Sequence, residues 1–287
     1  MGLDLGRHQA SLFGELRFQP VTKRIRASYD GSPVLETTDA FVVWEPRRVV
    51  PMYAVPRADV VATLTPCPSP SPPADVPPVL GPVHFGWHFH PGSSFTVGVG
   101  DASFEASAFV ADDPDLGGRV ILEWEPFGWT EESVAVTGHP HDPFKRLDVL
   151  PSDRHVVVSS GGTVLADTSR AVAIYESLLP VRWYIPQNDV HLDLLTASGA
   201  TSTCAYKGHA TYYSLVDAAS ADDAVDIAWS YPEPLPEAEL VRDHVCFYAE
   251  RTDLTVNGQD VPRPDTFWRS RRSAASTTGG RTTRGST

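Results

Sequence analysis

Residues 34–45 (VLETTDAFVVWE) decide the fold, because the chain repeats them about 130 residues later. Residues 164–176 read VLADTSRAVAIYE, which is the same pattern with one residue inserted. A second pair follows at the same spacing, with YAVPRADV at 53–60 and WYIPQNDV at 183–190. A chain of 287 residues has room for two domains of ordinary size. The repeat therefore predicts two tandem homologous domains.

The repeat also settles the secondary structure. Residues 171–176 alone could begin a helix, because residues 167–169 (Asp-Thr-Ser) are good caps. Their counterpart, residues 41–45, is β-branched and aromatic and is typical of a strand. Since two copies share one backbone, both are predicted to be strands. The same reasoning predicts strands near 25–29, 52–55, 94–99 and 120–125 in the first copy, and near 155–159, 181–185, 203–206, 211–215, 227–230 and 245–250 in the second.

The prolines set the fold class and the organisation of the chain. Twenty-six prolines interrupt helical patterns, so the architecture is predicted to be mainly β with little helix. Residues 66–82 are rich in proline and are predicted to be an insertion in the first domain, in place of a shorter turn at 198–202. The predicted domains are 1–146 and 147–266. Residues 267–287 are predicted to form a disordered basic tail.

Charge and cysteine content narrow the classes of partner. The formal net charge is −13, although residues 269–287 carry five Arg and no acid. Such an acidic body repels phosphate backbones, which argues against nucleic acid as a partner. We expect no signal peptide and no membrane span. Cys67, Cys204 and Cys246 lie far apart in sequence, as is typical of a reducing compartment. The sequence predicts a soluble cytoplasmic protein whose partner is a small molecule.

Several motifs carry a family resemblance. They are VLADTSR at 164–170, RWYIPQNDV at 182–190, TCAYKGHA at 203–210, and Trp229-x-Tyr231. Through them the chain resembles the domain of unknown function 427 family in its tandem-repeat form, over nearly the whole length except the tail. Two departures are Ala205, where the family pattern has proline, and Pro91, where the first copy lacks the lysine.

The resemblance implies a fold and limits the expected cofactors. It implies two tandem β-tent domains, each made of packed antiparallel sheets. Relatives of that fold hold zinc with paired Cys-x-x-Cys motifs, which are missing from this sequence, so no cofactor of that kind is expected. The family is sometimes labelled nucleotidyltransferase-like. The sequence has neither a Gly-rich phosphate loop nor a paired-Asp metal motif to support that label.

Lys207 is the leading candidate for a catalytic residue. The second copy keeps TCAYKGHA at 203–210, whereas the first has HFHPGSS at 88–94. A lysine beside a cavity can act as a base, an imine former or an anion clamp, because burial lowers its pKa. The alternative is a structural lysine that pairs with Glu176 or Asp189. We predict Lys207, His209 and Tyr184 to be catalytic.

Strand alternation divides the side chains of this motif between two faces. Along an unbroken strand, Thr203, Lys207 and His209 share one face and Cys204 lies on the other. This alternation favours an ordinary buried thiol for Cys204 rather than a nucleophile activated by Lys207.

A second group is predicted to bind the substrate. Arg182 and Tyr184 share a strand face, and arginine suits recognition of a carboxylate or phosphate. The alternative is an arginine already paired with a protein carboxylate. Aromatic residues would line the pocket or pack in the core. The predicted substrate-binding residues are Arg182, Arg170, Asp189, Tyr206, Trp229 and Tyr231.

Three histidines offer an alternative site. His88 and His90 lie on one face if their segment is a strand, and His84 has the same parity. Two imidazoles so placed can bind zinc or iron. Ordinary, partly exposed histidines are the competing interpretation.

Three functions remain open at this level. The first is a small-molecule enzyme using acid–base or electrophilic chemistry on an anionic metabolite, with Arg182 as anchor. The second is a module that binds a small molecule without turnover. The third is a metalloenzyme built on His84, His88 and His90.

Overall fold

A computed structural model of the chain describes residues 2–177, 179–216 and 224–266. The chain divides into two compact units, Met1–Asp142 and Pro143–Thr287. The predicted tail at 267–287 lies outside the described residues. Across the described ranges, no helix has the length and apolar composition needed to cross a membrane.

The described residues of the first unit form one short α-helix and eleven strands. Helix α1 spans Leu5–Ser11, and the carboxylate of Asp4 caps it by accepting a hydrogen bond from the Arg7 amide at 3.1 Å. Two antiparallel sheets follow, in the orders β1-β4-β5-β9-β8-β7-β6 and β11-β10-β2-β3. The strands are β1 (Arg17–Val21), β2 (Ile25–Tyr29), β3 (Ser32–Thr37), β4 (Ala40–Trp44), β5 (Met52–Val55), β6 (Thr63–Cys67), β7 (Gly92–Val99), β8 (Ala102–Ala111), β9 (Val120–Leu122), β10 (Gly128–Glu131) and β11 (Val134–Val136). Short 3-10 turns span Arg57–Asp59, Pro82–His84 and Pro114–Leu116.

The second unit has the same plan. Its described residues form two antiparallel sheets in the orders β12-β15-β16-β20-β19-β18-β17 and β14-β13-β21-β22. The strands are β12 (Leu147–Pro151), β13 (Val156–Ser160), β14 (Thr163–Thr168), β15 (Val172–Glu176), β16 (Arg182–Pro186), β17 (Leu195–Cys204), β18 (Gly208–Leu215), β19 (Ala228–Ser230), β20 (His244–Phe247), β21 (Asp253–Val256) and β22 (Gln259–Val261). The 3-10 turns are Gln187–Asp189, Leu192–Leu194 and Pro236–Val241.

The two units share one topology. Adding eleven to each strand number of the first unit reproduces both sheet orders of the second. The prediction of two tandem, mainly β domains is therefore confirmed. Residues 172–176 form strand β15 rather than a helix, as the comparison between the copies predicts.

Two predicted details are wrong. Strand β17 ends at Cys204, and residues 205–207 form a turn instead of continuing the strand. Residues 198–202 are not a turn but lie within β17, where the pairing register shifts between Ala197 and Thr201. Residues 68–91 connect β6 to β7 in the first copy, whereas residues 205–207 alone connect β17 to β18 in the second. The copies therefore differ most at this end of the sheet.

The central strands of the seven-stranded sheet in the second unit are buried on both faces. On one face, Ala173, Trp183 and Ile185 pack against Val156 and Leu254 of the four-stranded sheet. The side chains between them in sequence point the other way, as strand alternation requires. That second face packs against the 3-10 turn Pro236–Val241 and is lined by Val172, Ile174, Tyr184, Trp229, Tyr231, Ala238, Val241, Cys246 and Tyr248. It contains several of the predicted site residues.

A glycine begins the equivalent strand in each copy, at Gly92 and at Gly208. A Cβ atom on Gly92 would lie 2.3 Å from both the Phe109 Cζ atom and the Val110 carbonyl oxygen. Because one of these neighbours is backbone, it cannot move aside without disturbing the pairing of β7 with β8. Close packing therefore requires glycine at residue 92.

We predict that Gly92→Ala destabilises the first domain by about 1–3 kcal/mol, the usual cost of overpacking. Gly98→Ala, on the same strand, is the matched control, since its Cβ would meet Thr63 at 3.6 Å, an ordinary contact. Urea unfolding followed by amide signals of the first domain measures both. Equal stability of the two variants would contradict the prediction.

Candidate functional site

The turn between β17 and β18 places Lys207 inside the second domain. The amide of Leu235 donates to the Lys207 carbonyl at 3.1 Å, so the chain closes over the turn. Gly208 has a φ of 98°, and a Cβ there would lie 3.1 Å from the Glu233 carbonyl oxygen. The close approach to Gly208 is therefore made by the protein's own backbone. Lys207 is only 7% exposed.

The turn also breaks the predicted alternation. Thr203 and His209 pair across the strands, with their side chains 2.8 Å apart on an exposed face. Lys207 is buried instead, and Cys204 lies close enough to influence its pKa. The shared face of Lys207 and His209 was expected only along an unbroken strand, and that condition is not met because β17 ends at Cys204.

Lys207 and Lys145 share one buried carboxylate, that of Glu176. The Nζ atom of Lys207 lies 2.7 Å from Glu176 Oε2, and that of Lys145 lies 3.1 Å from Glu176 Oε1. The side chains of Lys207 and Glu176 are 9% and 7% exposed, whereas that of Lys145 is 20% exposed. We call these three residues the lysine cluster. It contains the Lys207–Glu176 pair that the structural interpretation of Lys207 anticipates.

The cluster holds Glu176 and Lys207 in their charged forms. Burial alone would raise the pKa of Glu176, but the charges and hydrogen bonds of Lys207 and Lys145 lower it to about 2. Burial alone would lower the pKa of Lys207, but the nearby Cys204 and Glu176 groups raise it above its ordinary value. A lysine that keeps its proton is neither a base nor a ready imine former.

Tyr184, Trp229 and Tyr231 belong to the core beside this cluster. All three are at most 7% exposed. The Trp229 indole donates to the Tyr184 hydroxyl at 3.1 Å, and their rings meet edge to face at 6.1 Å. Burial raises the pKa of both Tyr184 and Tyr231 well above 10. In this geometry they pack as core aromatics.

Arg182 is engaged by a carboxylate that the sequence patterns did not reveal. Its guanidinium donates two hydrogen bonds of 2.7 Å to Glu250, one to each carboxylate oxygen. The two side chains are 7% and 0% exposed. Burial alone would lower the pKa of Arg182, but Glu250 raises it. The guanidinium also lies 5.6 Å from the Trp229 ring, so the pair is part of the core.

The remaining predicted site residues lie toward the surface. Arg170 donates to Asp189 at 2.7 Å, and the Thr168 hydroxyl donates to the other oxygen of Asp189 at 2.6 Å. The Arg170 side chain is 66% exposed. Tyr206 is partly buried on the turn next to Lys207. The structure thus brings Lys207, Tyr184, Trp229, Tyr231 and Arg182 into one region, while Arg170, Asp189 and His209 have surface partners.

The first domain has an equivalent buried carboxylate with different cations. Glu45 stands where Glu176 stands in the second copy of the repeat. Its Oε2 atom lies 2.8 Å from His88 Nδ1 and 3.4 Å from the Arg48 guanidinium. The shared glutamate at the end of both repeats was the sequence signal for this feature. No comparable sequence pattern points to Lys145, which precedes the second repeat.

The three histidines have separate partners. His84 Nδ1 accepts from the Gly81 amide at 3.0 Å, and His90 Nε2 lies 3.9 Å from Asp113. His88 faces Glu45 and Glu123. In the part of the chain that the structure describes, no three His, Cys, Asp or Glu side chains are grouped so as to hold a metal ion.

A small crevice in the second domain lies apart from the lysine cluster. It is lined by Val158, Val181, Trp183, Phe247, Ala249, Thr252 and Leu254. Most of these side chains are apolar and belong to the core between the two sheets, so this crevice offers little chemistry.

Comparison with known proteins bears on the second unit. A family model described as Domain of unknown function (DUF427) matches residues 148–258, and its short name labels it as nucleotidyltransferase-like. The match covers β12 to β21 and includes Glu176 and Lys207. No curated protein matches the sequence.

We predict that Arg182→Met destabilises the second domain by about 3–5 kcal/mol, because it leaves the Glu250 charge buried and unpaired. Arg170→Met is the matched control and should cost less than about 1 kcal/mol, since its ion pair is exposed. Thermal and urea unfolding of both variants test this. If both variants lost the same free energy of unfolding, the buried pair would contribute no more to stability than the exposed pair, and the prediction would be wrong.

Proposed function

The second unit of the chain belongs to the domain of unknown function 427 family, and from this premise we propose that it binds an anionic small molecule at the lysine cluster. The observation that carries the proposal is that Lys145 and Lys207 share the single carboxylate of Glu176. Lys207 and Glu176 lie within the family match, and Lys145 lies just before it.

Charge supports an anion as the ligand. Two ammonium groups meet one carboxylate, which neutralises only one of them. In a region of low dielectric constant, an added negative charge is attracted more strongly than at an open surface. The neighbouring Arg182–Glu250 pair is internally neutral, so it does not supply that charge. A carboxylate or phosphate bound at Lys145 would neutralise the second ammonium group.

Access supports Lys145 as the point of entry. Its side chain is 20% exposed, whereas that of Lys207 is 9% exposed. Cys204, Tyr206 and Tyr212 are partly exposed, and all three lie on the hairpin that carries Lys207. We therefore propose that the anion contacts Lys145 directly, with Lys207 behind it contributing charge.

The first copy provides a contrast. There Glu45 and Glu123 face Arg48 and His88, so two carboxylates meet two groups that can carry positive charge. No charge is left over once His88 is protonated. The excess of cations therefore occurs in the copy that keeps the Lys-Gly motif.

If the site is catalytic, the geometry favours electrostatic stabilisation by Lys207 over proton abstraction. A protonated Lys207 would stabilise negative charge that develops on a bound metabolite, rather than remove a proton. Tyr184 is fully enclosed and His209 faces the surface, so neither is placed as its proton partner. Binding without turnover is thus the simpler form of the proposal, and catalysis is its extension.

The proposal extends to location and partners. The cysteines Cys67, Cys204 and Cys246 are unpaired thiols, which supports a cytoplasmic location. The net charge of −13 supports a small anion, held by a local excess of lysine, over a nucleic acid.

We predict that pyrophosphate raises the melting temperature of the second domain at constant ionic strength, because it binds the folded state. Lys145→Met should remove most of this shift. Lys23→Met is the control, since Lys23 also pairs with a buried glutamate, Glu131, but in the first domain. Calorimetry measures the shift.

Two outcomes decide the proposal. Equal shifts in wild type, Lys145→Met and Lys23→Met would contradict a site at Lys145. Phosphorus NMR of the incubated pyrophosphate separates the two forms of the function, since unchanged ligand supports binding and released phosphate supports catalysis.

A further inference from the structure

The first domain contains a buried histidine enclosed by two carboxylates. The Nδ1 atom of His88 lies 2.8 Å from Glu45 Oε2, and its Nε2 atom lies 3.4 Å from Glu123 Oε1. The side chains of His88, Glu45 and Glu123 are 4%, 2% and 11% exposed. The imidazole ring stacks on Phe109 with centroids 3.8 Å apart. Such a ring is held in place from both edges and from one face.

His88 belongs to the inserted residues 68–91, which the second copy lacks. The Arg48 guanidinium donates to the carbonyls of Phe85 and Trp87 at 2.8 and 2.7 Å. The Phe89 amide donates to Glu45 Oε1 at 3.2 Å. Glu45 and Arg48 therefore dock the end of the insertion, and His88 completes the contact.

The charged groups around His88 come from several elements. Glu45 follows β4, Arg48 lies in the next turn and Glu123 follows β9, while β8 contributes the uncharged Phe109. Within the insertion, His84 accepts from the Gly81 amide, and His90 lies 3.9 Å from Asp113. With His88 charged, two cations face two carboxylates. With His88 neutral, one ring nitrogen presents a lone pair to a carboxylate and one negative charge is unbalanced.

We propose that His88 is a protonation-controlled latch, which docks the inserted segment on the first domain while the imidazole is charged and releases it when the proton is lost.

The direction of the pH dependence follows from the contacts. Burial alone would lower the pKa of His88, but the adjacent Glu123 carboxylate, together with the charge and hydrogen bond of Glu45, raises it above 6.5. A raised pKa in the docked state means that docking is strongest below about pH 6.5, the pKa of a free histidine. Docking weakens as the pH rises from there through the raised value. One proton is released on opening, so the opening constant rises about tenfold per pH unit in this window.

Hydrogen exchange of the Phe89 amide in the full-length protein tests the latch. After correction for intrinsic exchange, its protection should fall about tenfold per pH unit above pH 6.5 and then level off. The Ile121 amide in β9 should keep its protection, since release is local. In His88→Gln, protection of Phe89 should be lower at pH 6 and independent of pH. His90→Gln, in the same segment, should behave as wild type.

Several results would overturn the proposal. They are protection that is flat with pH in wild type, a pH dependence that survives in His88→Gln, or a parallel loss at Ile121. If His88→Gln does not fold, nitrogen-15 NMR of the His88 ring in wild type decides. A doubly protonated ring at pH 7 supports the latch, and a neutral tautomer there contradicts it.

Discussion

Each domain is organised around a buried carboxylate at the same position of the fold. Glu176 ends β15, and Glu45 directly follows β4. Removing a carboxylate from water costs several kcal/mol unless cations and hydrogen-bond donors replace the solvent. The chain must therefore bring positive side chains to this point. Because none lies on the same strand, they come from turns and connections, and the carboxylate ties those segments to the sheet.

The two copies meet this requirement with different segments. In the second domain a short turn delivers Lys207, and the residues before β12 deliver Lys145. In the first domain the turn after β4 delivers Arg48, and the inserted residues 68–91 deliver His88. In the first domain, His88 of the Pro-rich insertion therefore supplies the positive charge that Lys207 supplies in the second domain. Both segments connect equivalent strands, β6 to β7 and β17 to β18.

The sequence predicted the parts of the structure that two copies have in common. The alignment of residues 34–45 with 164–176 predicted strands β4 and β15, since a shared backbone excludes a helix in only one of them. It could not predict the surroundings of Lys207, because a turn ends the alternation at Cys204. It also could not pair Arg182 with Glu250, since such contacts depend on how distant strands assemble. Local patterns fix the elements, whereas buried charges are matched through tertiary structure.

The shared carboxylate also changes how a functional residue is to be recognised in this protein. Replacing Glu176 would unpair Lys207 and leave its charge buried, so lost stability would follow whether or not the site binds a ligand. The same holds for Glu45 in a domain without the Lys-Gly motif. Sensitivity to substitution at the carboxylate therefore reports on folding. Lys145 differs, because its removal leaves the Lys207–Glu176 pair of 2.7 Å intact and takes away only the excess charge. Substitution of Lys145 therefore tests ligand binding at this site without removing a contact on which folding depends.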